Sequence, residues 1–155
     1  MSINQYVGRT IDILAYQNAP GTGEVLTVQA LAQESNDGQI CTGVQKLAQR
    51  FLLELLTETG SLAYQPERGC QFMIDARMSL FNSQYDVLAS YSASLVDIQK
   101  NLQAEESLSD PADERFRNAE AVSVNFSPGS ASITMRVTSM AGTSREVIAP
   151  LDVNL

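Results

Sequence analysis

The 155-residue chain has no histidine and no tryptophan, two cysteines, and 10 Lys+Arg against 18 Asp+Glu, a formal charge of −8. Each shortage removes a class of function. Without histidine there is no Ser-His-Asp or Cys-His nucleophile pair and no His-ligated zinc or haem. Phosphate neutralisation needs clustered Lys/Arg, and no basic run of five to eight residues is present, so nucleic acid is not expected as a partner. No stretch approaches the roughly 18 consecutive apolar residues of a membrane span, so no membrane partner is expected. The start, Met1-Ser-Ile-Asn-Gln-Tyr6, lacks the basic and apolar regions of a secretory signal, and a cytosol-like compartment is the expectation. Cys41 and Cys70 lie too far apart for a CxxC motif, and a chain of this length needs no disulfide staple, so both are expected to be reduced.

What is present suffices for a folded domain. Hydrophobic residues make up 44% of the chain, well above disordered sequences, and the length suits one domain. Thr10-Ile-Asp-Ile-Leu-Ala-Tyr16 and Glu24-Val-Leu-Thr-Val28 flank the turn cluster Asn18-Ala-Pro-Gly-Thr-Gly23, which predicts an N-terminal hairpin. After the break Ser35-Asn-Asp-Gly38, Val44, Leu47, Ala48, Phe51, Leu52, Leu55 and Leu56 recur at helical spacing. They predict an amphipathic helix over about 42–58, with Thr42 as N-cap and Gly60 as the left-handed C-terminal residue.

Residues 59–72 are rich in Gly and Pro and read as a packed connector. Phe81, Tyr85, Leu88, Tyr91, Leu95, Ile98 and Leu102 mark a second long helix from about Asn82 to Glu106. Ser109-Asp-Pro-Ala-Asp-Glu114 has the cap, N1 proline and early acids of a short third helix. From Ala121 the period changes to two. Val122, Val124 and Phe126, then Ala131, Ile133, Met135 and Val137, then Val147, Ala149, Leu151, Val153 and Leu155 alternate with mostly polar residues. Turns at Ser127-Pro-Gly-Ser130 and Ala141-Gly-Thr143 join them into a three-stranded antiparallel meander. The fold class is α+β: two long helices and a short third packed on a small antiparallel sheet.

Catalytic chemistry finds little support. A glycosidase needs two carboxylates facing a cleft, and the candidates are Glu54 and Glu58, spaced i, i+4, and Glu67 in the following loop. Such spacing more often marks a solvated helix face. Cys70 has no histidine base, paired thiolates lack the further ligands a metal requires, and Gly21-Thr-Gly23 falls short of a phosphate loop. No cofactor or metal is expected. Binding is better supported, because a strand at the C-terminal end can lie at a sheet edge and offer unpaired N–H and C=O groups to a neighbour.

Gly43-Val-Gln-Lys-Leu-Ala-Gln-Arg-Phe-Leu-Leu-Glu-Leu-Leu-Thr-Glu-Thr-Gly60 followed by Tyr64-Gln-Pro-Glu-Arg-Gly-Cys70 resembles the baseplate wedge, or sheath-initiator, family of contractile-tailed phages. The pattern is an amphipathic helix, a Leu-Leu-Thr-x-x-Gly segment (Leu55, Leu56, Thr57, Gly60) and a Pro-x-x-Gly loop (Pro66, Gly69). Asp113-Glu114-Arg115 leading into three alternating strands also fits. The resemblance covers residues 41–155 as one domain and leaves 1–40 as a variable extension. It implies a structural virion protein, assembled in the host bacterial cytoplasm and related to type VI secretion baseplate subunits. Its C-terminal meander would resemble the inner domain of tail sheath subunits. Its expected partners are the tail sheath subunit, other wedge proteins and the tail hub or tube, in a ring of six copies. Val147, Ala149, Leu151, Val153 and Leu155 would form the strand exchanged with the sheath. Val44, Leu47, Phe51 and Leu55 on the helix, with Gly60, Pro66, Arg68 and Gly69 in the loop, would form the wedge-packing part. The family has also carried a lysozyme label, so a peptidoglycan-cleaving glycosidase is the alternative; an adaptor docking through the second helix is a third reading.

Overall fold

A computed structural model describes residues 7–13, 16–18, 26–28, 40–127 and 129–152. The apolar stripe expected from 44 to 56 forms α1 (Gly43–Leu56). Leu47, Ala48, Phe51, Leu52 and Leu55 are buried, with Val44 and Leu56 at the margin of the stripe. Its N-terminus is capped differently from the expectation. The Thr42 side chain makes no cap bond, and the buried Glu114 accepts from the Gly43 N–H instead, at 3.3 Å. A carboxylate there meets the positive end of the helix. Gly60 lies in a turn beyond the helix end, whose last residue is followed by an extended Thr57.

The short third helix is α2 (Phe72–Arg77), not 109–114. Residues 109–114 make a single turn, with Glu114 N–H donating to Pro111 O at 2.9 Å. Asp110 is occupied by the Ser107 N–H (2.7 Å) and Glu114 by α1, so their side chains serve other backbone donors rather than a helix of their own. The second long helix is α3 (Gln84–Glu105). Ser83 Oγ accepts from the Asp86 N–H, while Asp86 accepts from the Asn82 N–H, a reciprocal N-terminal lock. Its buried stripe is Val87, Tyr91, Ser94, Ile98 and Leu102. Tyr85, expected in that stripe, is 72% exposed, because two residues of helix turn it about 200° from Val87.

Three strands follow: β5 (Phe116–Ser127), β6 (Ser130–Ser139) and β7 (Ser144–Asp152), antiparallel in the order β5-β6-β7. The two expected turns join them. β5 begins earlier than expected and carries two register shifts, which leave Arg117 and Val122 unpaired between their neighbours. Each extra residue resets the alternation, so Phe116, Ala119, Ala121, Val124 and Phe126 face the core side while Val122 points to solvent. The helices cover one face, α1 against β6 and β7 and α3 against β5. Phe51 stacks on Phe116 at 6.0 Å between centroids, and Phe72 packs against Phe81 and Tyr91. On the opposite face Arg136 ties the three strands together by pairing with Glu120 (3.0 Å) and Glu146 (2.6 Å). This is the α+β arrangement read from the sequence.

The N-terminal strands pair differently from the single hairpin expected. β1 (Asp12–Ile13) pairs with β4 (Ile40–Cys41), and a separate hairpin joins β2 (Tyr16–Asn18) to β3 (Leu26–Val28). The buried Gln49 of α1 holds β1 by donating to Asp12 Oδ2 and Ile13 O, both at 2.9 Å. β3 comes close to β7 without joining its sheet.

Candidate functional site

β7 is an edge strand, and its backbone can be followed residue by residue. Ser139 N–H donates to Thr143 O at 2.8 Å across the β6–β7 turn. From there the register runs without a shift to Ser130 opposite Asp152. Bonded and non-bonded pairs alternate in an antiparallel ladder. Arg145, Val147, Ala149 and Leu151 are therefore the residues bonded to β6, whereas Ser144, Glu146, Ile148, Pro150 and Asp152 turn their backbone groups outward. Pro150, which has no N–H, falls in the outward set, where it costs no bond to β6. Among the described residues only β6 pairs with β7.

The side chains sort in the opposite sense from an exchanged strand. Val147, Ala149 and Leu151 fill the protein's own core, so β7 offers its outward backbone groups and not those three side chains. Val153 and Leu155 lie outside the described residues. Leu47, Phe51 and Leu55, expected to pack on wedge partners, are likewise enclosed in this chain's core, with Val44 at its margin.

The loop after α1 is a second ordered surface. Its neck closes where Cys70 N–H donates to Thr57 O (2.9 Å) and Thr59 N–H to Cys70 O (3.2 Å). Gly60 N–H donates to Pro66 O at 3.0 Å, pulling the sides together. Closed ends and internal bonds are the mark of an Ω-type loop. Glu54 on α1 fixes it from below. This carboxylate is buried and accepts from Gly69 N–H (3.0 Å), Asn101 Nδ2 (3.1 Å) and the Arg68 guanidinium. Arg68 also pairs with Glu105, which pairs with Arg50 at 3.0 Å, so α1, the loop and α3 share one charged network. At the loop's tip Leu62 and the fully exposed Tyr64 face solvent, beside an exposed Pro66.

The three candidate acids are not brought together. Glu54 is taken up by the network, Glu58 makes a two-point pair with Arg77 (2.9 and 3.0 Å), and Glu67 is exposed on the loop. Asn101, Glu105 and Glu114 organise the loop and α1, and the sequence reading did not single out their roles. For Glu114 a signal existed in Asp113-Glu114-Arg115. For Asn101 and Glu105 the i, i+4 spacing on one side of α3 was the only trace.

Both cysteines are free and buried. Burial pushes the Cys41 thiol up to about 11 and raises that of Cys70 as well, which leaves little thiolate at neutral pH. Neither is expected to react with iodoacetamide at pH 8 in the native chain, and both are expected to react in urea. Rapid native labelling followed by peptide mapping to either position would contradict this. No family model matches the chain, and neither a curated protein nor a solved structure matches it.

Proposed function

We propose that the chain is a structural, non-enzymatic subunit of a contractile phage-tail baseplate, a wedge or sheath-initiator component, joined to the first sheath ring through β7. The observation that supports this reading most is the outward backbone of β7, which has no bonded neighbour among the described residues. The resemblance of the α1 and loop segment to that family adds the identity of the assembly. In a ring of six copies the edges would recur at fixed angles. Main-chain hydrogen bonds would supply affinity at each edge, and repetition around the ring would multiply it. The loop tip at Leu62 and Tyr64 offers apolar surface for other wedge proteins or the hub.

The test is affinity purification of the full chain from cells that make it, followed by cryo-electron microscopy. The expected result is a ring in which a strand of a second protein lies along β7. A particle with β7 facing solvent and no sheath contact overturns the reading. Truncating 147–155 is the weaker experiment, because it removes Val147, Ala149 and Leu151 from the core.

A further inference from the structure

We infer that the exposed face of α3 pairs with the same face of a second copy of this chain, antiparallel about a two-fold axis at Ala93, and that this weak pair is the form of the free subunit. The inference goes beyond the baseplate reading and does not rest on it. Seen down the helix, Tyr85, Val96 and Gln103 lie within about 20° of one line, opposite the buried Val87, Ser94 and Ile98. Tyr85, Ala89, Ser92, Val96, Gln99 and Gln103 recur at steps of four and three residues, and all are exposed, Val96 at 69%. That rhythm is a coiled-coil seam, on the side of α3 that the protein's own core does not use. The face is nearly uncharged in a chain of net charge −8, with Lys100 alone upon it. Small side chains at Ala89, Ser92 and Ala93 let a second helix approach closely, and Val96, Gln99 and Gln103 border a shallow depression beside them.

Charge selects the occupant. Asp86 and Lys100 flank the seam on one side, two heptads apart, with Ala93 midway between them. A two-fold axis at Ala93 sets the helices antiparallel and brings Asp86 of each copy level with Lys100 of the other, on the same side of the seam, so two opposite-charge pairs form at once. Both charges are available for this. Asp86 accepts from the Asn82 N–H and the Ser83 hydroxyl, both at 3.0 Å, neutral donors that leave its charge uncompensated. Lys100 has no ion pair among the described residues. Asp97 stands about 100° from Val96 and points away from the seam. In the same register Ser92 faces Val96 of the other copy and Tyr85 faces Gln103. A parallel pair puts Asp86 and Lys100 on opposite sides of the seam, where neither meets the other. One helix on one helix is a small contact, at the low end for specific interfaces, so the pair is reversible. It also closes on itself and builds no ring, so it is given up wherever copies are arranged around a six-fold axis.

The test is sedimentation velocity on the full chain from micromolar to millimolar concentration. A dimer is expected, half-formed at roughly 100 μM. Lys100→Glu sets acid against acid at both ends of the seam, and Asp86→Lys sets lysine against lysine. Each is expected to weaken association about tenfold or more while the circular dichroism spectrum is retained. Mixed in equal amounts, the two variants restore opposite charges at both ends and are expected to recover the dimer. That recovery also answers for the capping role of Asp86, because a chain that failed to fold would not be rescued. A short bismaleimide is expected to join two copies of Ala93→Cys, the native cysteines being buried. It should not join two copies of Ala104→Cys, whose positions lie about 33 Å apart in this register. A monomer at millimolar concentration, unchanged association in either charge variant, no recovery on mixing, or crosslinking at 104 in place of 93 overturns the inference. None of these outcomes bears on the sheath contact at β7, which the particle structure tests separately.

Discussion

Gly69→Ala is expected to cost the fold about 3–5 kcal/mol and to lower the thermal midpoint by roughly 10 °C, whereas Gly60→Ala costs about 1–2 kcal/mol. Both glycines sit in the left-handed region, at φ +83 and +84, so both replacements carry the same backbone penalty. The surroundings separate them. A Cβ on Gly69 would lie 2.3 Å from Thr57 O and 2.8 Å from Thr57 C, whereas a Cβ on Gly60 meets nothing within 4 Å. Thr57 O is the acceptor that closes the loop neck through Cys70 N–H, and Gly69 N–H is the donor held by Glu54. Relieving the clash therefore moves both ends of the neck and loosens the grip of Glu54, Arg68 and Asn101 on the loop. Urea titration of the two variants checks the difference. Equal destabilisation would mean that the close approach at Gly69 is not what constrains the loop.

The importance of Gly69 was visible in the sequence only as one position of a Pro-x-x-Gly pattern. Its reason, a backbone carbonyl twelve residues earlier, is a long-range contact that no local pattern encodes. The same distinction runs through the fold. α1 was legible because its apolar stripe recurs without interruption, and β6 because it alternates without a bulge. β5 misled at Val122, where the extra residue turns the side chain outward, while Val124 and Phe126 keep the alternation and pack against the core. The 109–114 segment misled for a different cause. Its cap, proline and acids are sound local helix signals, but Glu114 is drawn to the N-terminus of α1 and to Thr10, at 2.6 Å. Tertiary demand for a carboxylate outweighed local propensity. The apolar period marks α3, but Tyr85 lies off its buried stripe. The residues that actually face the core include Ser94, whose polarity hid its position in the stripe. At the candidate site the sequence leaves the last strand either at a sheet edge or shielded, and only the order β5-β6-β7 makes it an edge among the described residues. Which of its residues face outward was not legible either, because that depends on the hydrogen-bonding parity set at the β6–β7 turn.

That parity yields the second large effect. Ala149→Pro is expected to cost at least about 3 kcal/mol, which raises the unfolded fraction of a marginally stable domain more than about a hundredfold, while Ile148→Pro, one residue away, costs about 1–1.5 kcal/mol. Ala149 lies opposite Ile133 in a bonded pair and is fully buried in the core. A proline there removes a donor to β6 and forces a ring between β6 and β7. Ile148 lies opposite Thr134 in a non-bonded pair with its N–H directed away from β6, so a proline loses only part of a half-buried side chain. Pro150, two residues on, already shows that the strand tolerates the ring on that side. Denaturant midpoints at unchanged m-value measure the difference. If both variants are equally destabilised, β7 is not free on its outer side. If only Ala149→Pro is, the chain has a strand whose inner backbone holds the fold and whose outer backbone is available to a partner, and Ile148→Pro becomes the variant that separates assembly from folding.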